Sequence, residues 1–191
     1  MAECSQVSFE FHGVKGREVV TRFDGGMITS DAGAVLLREV ERRTGILKGF
    51  ATCFKDFRNP ELIEHPLPRL IAQRVYGLAL GYEDLNDHDQ LRADPLLALL
   101  AEAEDLTGAS RRNARDRGKA LAGKSTLNRL ELTPADAGPW SRYKKIVYDA
   151  VKLEALFVDV FLDAPRSPPR EIVLDLDATD DPLHGHQEGR F

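Results

Sequence analysis

The chain has 191 residues, 42% apolar and 30% charged, so it can build one substantial core or two small ones and is too apolar to be disordered. No run of about 18 apolar residues is present to span a bilayer, and the start, MAECSQVSFEF, has neither the basic nor the apolar part of a leader, so a cytoplasmic location is the default expectation. The net charge of -5 excludes a global attraction to nucleic acid but not a local basic surface, and Cys4 and Cys53, lacking a C-x-x-C partner, suggest neither a zinc site nor a disulfide framework.

Residues 1–28 include VSFEFHGVKGREVVTRFDGG, which alternates apolar and polar residues on both sides of Gly13 and Gly16, the pattern of a β-hairpin or a pair of extended arms. Ser30 or Asp31 can then cap a helix through AGAVLLREVERR, with Gly45 placed to stop it. A second helix is expected at about 67 to 80, where Leu67, Leu70, Ile71 and Leu78 form one stripe. Glu83, Asp84, Asp87, Asp89 and Asp94 follow, with His88 among them; their spacing lacks the glycine and terminal glutamate of a calcium loop, so they read as caps and turn formers. Asp94-Pro95 is a cap with a first-turn proline and opens the short helix PLLALLAEAE.

From Gly108 to Gly123 the chain is polar and reads as an exposed loop. Seven basic residues (Arg111, Arg112, Arg115, Arg117, Lys119, Lys124 and Arg129) face a single acid, Asp116, between positions 111 and 129. Residues 118–125, GKALAGKS, match the phosphate-loop pattern G-x-x-x-x-G-K-[ST], but TGASRRNARDR before them cannot be the buried strand such a loop needs, so nucleotide binding is not expected. Two readings of the basic stretch stay open: Lys124 and a capped helix N-terminus meeting a DNA phosphate, or a solvated basic face. Ser125 or Thr126 caps a helix through LNRLEL, and Pro139 begins a long helix to about Asp163, with Ile146, Ala150, Leu153, Phe157 and Val160 on its apolar face.

Residues 29–163 thus form a mostly helical region, and the proline-rich stretch at 164–170 is a linker. After it, EIVLDLD reads as a strand buried on at least one side, with Ile172, Leu174 and Leu176 on one face and Val173, Asp175 and Asp177 on the other. The two carboxylates would stand about 6.6 Å apart. Their repulsion is about 2.5 kcal/mol at an effective dielectric of 20, which solvent, a basic partner or a divalent cation could relieve. His184 and His186 suit a surface turn or a phosphate contact better than a hard-cation site.

The segments TSDAGAVLLREVERR, RNPELIEHPLPRLIAQRVYGLALGYEDLNDHDQLRADPLLALL, AGKSTLNRLEL and REIVLDLDATDDPLHGHQEGRF together resemble the N-terminal part of an insertion-sequence transposase of the DDE superfamily, in the branch called DDE domain, group 1. The resemblance implies a mainly α, DNA-binding N-terminal region with a short β-hairpin, followed at 171–191 by the first strand of a truncated ribonuclease-H-like α/β domain. It places the first catalytic aspartate in a D-x-[ST] context, met by Asp177, with Asp175 the lesser candidate, and implies Mg2+ or Mn2+ held by Asp177 and Asp175. Its implied partner is DNA, at the terminal inverted repeats of the element, for which the seven basic residues named above are the candidate contacts on local charge; a homo-oligomer and a bacterial, nucleoid-associated location are compatible with it. The second aspartate and the glutamate of the triad do not appear before residue 191. The expectation is therefore a truncated transposase that retains DNA recognition, with a non-catalytic regulatory product competing with full-length transposase as the alternative.

Overall fold

The computed structural model describes residues 9–21, 30–165 and 167–176. Strands β1 (Phe9–Val14) and β2 (Arg17–Thr21) pair antiparallel, Phe11 opposite Val19 and Val14 opposite Arg17, with an irregularity between those pairs. This is the hairpin, not a pair of separate arms. Its buried residues, Val14 and Val19, pack on Val35 and on the partly buried Leu96 and Leu99. Arg17 extends the attachment by donating to the carbonyls of Ala103 and Glu104.

Helix α1 (Ala34–Thr44) follows a 3-10 turn at Ser30–Gly33. Gly33, and not Ser30 or Asp31, holds the N-cap position, and Asp31 accepts the Tyr82 hydroxyl at 2.9 Å. Gly45 stops the helix as expected, with φ at 66° and its N–H on the Glu41 carbonyl. A side chain there would strain the backbone, so the residue that ends α1 also fixes the corner into α2 (Ile46–Thr52). The Glu41 carboxylate accepts the Leu47 and Lys48 amides at 2.7 and 3.2 Å, filling the vacant donors at the start of α2.

Helix α3 (Leu67–Ala79) is the centre of the fold. Tyr76 joins a cluster of Ala34, Leu97, Leu100 and Leu121, while Leu70 joins a second cluster of Ala122, Leu127 and Ile146. Each apolar side chain buried in this way contributes about 1.5–3 kcal/mol. The expected stripe is largely correct, but Leu78 is exposed at its edge. The short helices α4 (His88–Leu91) and α5 (Pro95–Leu100) follow. Asp94 caps α5 by accepting the Leu96 and Leu97 amides, and Asp84 caps a 3-10 turn by accepting the Asn86 amide. Both acids serve the backbone, as their spacing suggests.

Helix α6 (Lys124–Glu131) has Gly123, rather than Ser125 or Thr126, at its N-cap. The long helix expected from Pro139 is shorter, because Ile146–Tyr148 forms a strand, β4, that pairs antiparallel with β3 (Phe54–Asp56). Ile146 is buried in that strand and not on a helix face. Asp149 then accepts the Lys152 amide and starts α7 (Ala150–Asp163). Helix α7 meets α2 so closely that a Cβ on Gly49 would lie 2.8 Å from the Leu156 side chain. Its outer face is exposed, Phe157 at 69%.

Residues 171–176 form no strand. Leu174 is 78% exposed and Leu176 92%, contrary to the expectation of burial on at least one side. An isolated extended segment cannot pair its backbone groups, and among the described residues no strand lies beside it. Asp177, His184 and His186 lie outside the described residues. No helix among the described residues is long and apolar enough to cross a membrane.

Candidate nucleic-acid interface

A cleft of about 640 Å³ opens at the first turns of α6, lined by Asn86, Lys124, Ser125, Asn128, Arg129, Tyr143 and Lys144 among others. A buried polar clamp lies just before the start of α6. Gln73, fully buried on α3, accepts the Ala122 N–H at 3.0 Å and donates to the Ala122 carbonyl at 2.7 Å. The same amide nitrogen lies 3.2 Å from His88 Nδ1. With both amide hydrogens donated, His88 Nδ1 accepts and its proton sits on Nε2. Burial, and then the nearby Arg74 charge, hold the His88 imidazole below its ordinary pKa, so the neutral form is kept.

This clamp fixes Ala122, the residue before the Gly123 N-cap of α6. Lys124, the first residue of α6, then donates its backbone N–H to Asp89 at 3.3 Å. The Lys124 ammonium reaches Asn86 at 2.8 Å and Asp89 at 3.3 Å. Hydrogen bonds and charge from Lys124 outweigh the opposing effect of burial and hold the Asp89 carboxyl below its usual range. On the far wall Arg129 and Arg142 place their guanidinium carbons 5.4 and 4.9 Å from the Tyr143 ring centre. Both distances are within reach of a cation–π attraction.

The seven basic residues singled out from the sequence divide by what they touch. Arg111 is turned inward: it donates to the carbonyls of Lys119 and Leu121 at 2.9 and 3.2 Å and pairs with Glu64 at 3.1 Å. Arg112 donates its N–H to Glu64 and its side chain to the Glu61 carbonyl. Burial works against Glu64 ionising, but the bonds from Arg112 and Arg111 prevail and lower its pKa. Lys119 donates to the Arg115 carbonyl. Arg115, whose side chain is 85% exposed, makes only a 3.5 Å contact with Asp116. Arg117, Lys124 and Arg129 are exposed. The 108–123 segment is therefore not the plain exposed loop expected, because Ala120, Leu121 and Ala122 enter the core and Arg111 braces the segment from within. A run of alanines and one leucine among basic residues carries no periodicity that would announce such burial.

Sequence reasoning also missed Asn128, Arg142, Tyr143 and Lys144. The only signal available was their basic and aromatic character, and the long helix expected through that region disguised it.

The G-x-x-x-x-G-K-S match lacks the geometry of a phosphate loop. A 3-10 turn at Ala114–Asp116 precedes it instead of a strand. Its amides are already donated, Lys119 to Asp116, Leu121 to Arg92, Ala122 to Gln73 and Lys124 to Asp89.

Of the two acids expected to hold a divalent metal, Asp175 stands exposed in the unpaired segment. No group of three or more His, Cys, Asp or Glu suited to a metal occurs among the described residues.

No curated protein and no solved structure matches the chain. Residues 11–191 match the family described as transposase DDE domain group 1, a span that runs from β1 past α7, and the chain belongs to that family of DDE-superfamily transposases.

Proposed function

We propose that the helical region binds DNA at the ends of a mobile element during transposition, with the exposed cations around the first turns of α6 taking the phosphates. The observation that carries this reading is that Lys124, Arg129 and Lys144 line one cleft in a chain whose net charge is -5, outnumbering the one acid in its lining, Asp84, while Asp89 pairs with Lys124. Local concentration of charge, not the average, decides phosphate binding. Arg115 and Arg117 add exposed cations, whereas Arg111 holds the segment in shape from within and Arg112 and Lys119 tie it together at the surface. The terminal inverted repeats are the proposed DNA partner.

The family generally uses a divalent metal. Metal-dependent strand cleavage and transfer is accordingly the proposed reaction wherever all three acids of the triad are assembled, with Asp177 as the first catalytic acid and Asp175 beside it, an assignment that rests on the D-x-[ST] context alone.

Fluorescence anisotropy with a labelled duplex, repeated over a range of salt, tests the binding. Each phosphate neutralised adds about -0.9 to the slope of log affinity against log salt. Replacing Lys124, Arg129 and Lys144 together by Ala is expected to flatten that slope by roughly 2 to 3. An unchanged slope would show that these cations form only a solvated surface.

A further inference from the structure

We infer that the loop between α6 and β4 is a docking site for single-stranded DNA, in which Trp140 stacks against unpaired bases while Tyr143 and the cations around it hold the backbone. The inference rests on the DNA-binding reading and adds the form of DNA that this part of the surface accepts.

Two aromatic side chains stand in the open three residues apart, Trp140 at 80% and Tyr143 at 55% exposure. Neither ring contributes to a core cluster, so hydrophobic packing does not explain them. Nor is the loop slack. Ser141 Oγ accepts the Gly138 N–H at 3.1 Å, and the Lys145 ammonium donates to the Pro139 carbonyl at 2.9 Å. The Trp140 indole lies over Gly138 so closely that a Cβ there would sit 2.5 Å from Cη2. The indole is thus held from below yet left open above, which limits the ordering cost of stacking another ring on it.

Charge supplies the second half of the site. Arg129 and Arg142 place their guanidinium carbons over the Tyr143 ring, so the Trp140 indole is the open stacking face and Tyr143 with its two arginines is the cationic part of the site, and Lys144 lines the cleft beside it. Chain geometry keeps the Cα atoms of Trp140 and Tyr143 within about 11 Å of each other, so the indole and the cationic group belong to one short stretch of surface. Exposed aromatic faces with adjacent cations are what sequence-tolerant single-strand binding requires, because every base offers a π-face and every nucleotide a phosphate. In an intact duplex those faces are already stacked inside the helix, so a duplex can use the cations but not the aromatic rings.

Trp140 is the chain's one tryptophan, so its emission reports on this loop alone. The full chain is titrated with an oligothymidylate single strand and, separately, with a blunt duplex of similar length. The expected result is quenching of Trp140 emission by the single strand and little change with the duplex. Trp140→Ala, at an exposed position, should weaken binding of a labelled single strand by about ten- to a hundredfold and leave duplex affinity within about twofold. Tyr143→Ala should weaken the single strand further. If the duplex binds but the single strand neither binds nor quenches, or if Trp140→Ala weakens both equally, the inference fails while the DNA-binding reading survives. If neither form of DNA binds, both fail.

Discussion

Gln73→Met keeps nearly the volume of the side chain at the centre of α3 but removes every hydrogen bond it makes. The wild-type amide accepts from the Ala122 N–H at 3.0 Å, donates to the Ala122 carbonyl at 2.7 Å and meets His88 Nδ1 at 3.2 Å. Methionine would leave two backbone groups and one ring nitrogen buried without partners, each costing about 1–3 kcal/mol. Taking the low end for all three gives a loss of roughly 3 kcal/mol, a large share of the 5–15 kcal/mol that holds a typical domain together. Urea unfolding followed by circular dichroism measures it. With a slope of about 1–3 kcal/mol per molar, the midpoint should fall by roughly 1.5 M at constant slope. A variant within about 1 kcal/mol of wild type would refute the reasoning, since it would mean that the clamp is solvated or that methionine packing makes good its loss. The same variant should weaken duplex binding more than its stability loss explains, because Ala122 positions the start of α6.

Two further outcomes follow from the geometry. His65 is 5% exposed, and burial, with the Arg111 and Arg69 charges, pushes its pKa from 6.5 down to about 4. The unfolded chain therefore binds the proton more tightly than the folded one, so stability is complete above about pH 6.5 and is lost as pH falls towards 4. The loss amounts to about 3 kcal/mol; His65→Phe should flatten the stability profile over that window, and an unaltered profile would place the titration elsewhere. Gly108→Ala should destabilise by more than about 2 kcal/mol, because Gly108 has φ at 67° and a Cβ would fall 2.5 Å from the Lys119 nitrogen and 2.6 Å from the Ala120 nitrogen. Thermal unfolding checks it, and a melting temperature within a degree or two of wild type would contradict the close approach.

What could be read from the chain alone is what neighbouring residues decide. The hairpin around Gly16, the Gly45 stop, the Asp94-Pro95 start of α5 and the α3 stripe each depend on backbone conformations or amides within a few positions of the residue that sets them. Family membership was also legible, since it lies in the order of long segments. The fold's remaining features required distant partners. Ile146 has the spacing of a helix face, yet it becomes a strand because Asp56 stands opposite it. Arg111 looks like a free cation until Glu64 and two carbonyls claim it. Gln73 is unremarkable in a helix until Ala122 arrives to be clamped, and Tyr143 acquires its cationic neighbours only when α6 and the following loop fold together. Hydrogen bonds and charge pairs between residues far apart in the chain leave no periodic trace along it, so only the tertiary structure could show which cations are engaged inside the protein and which face the cleft.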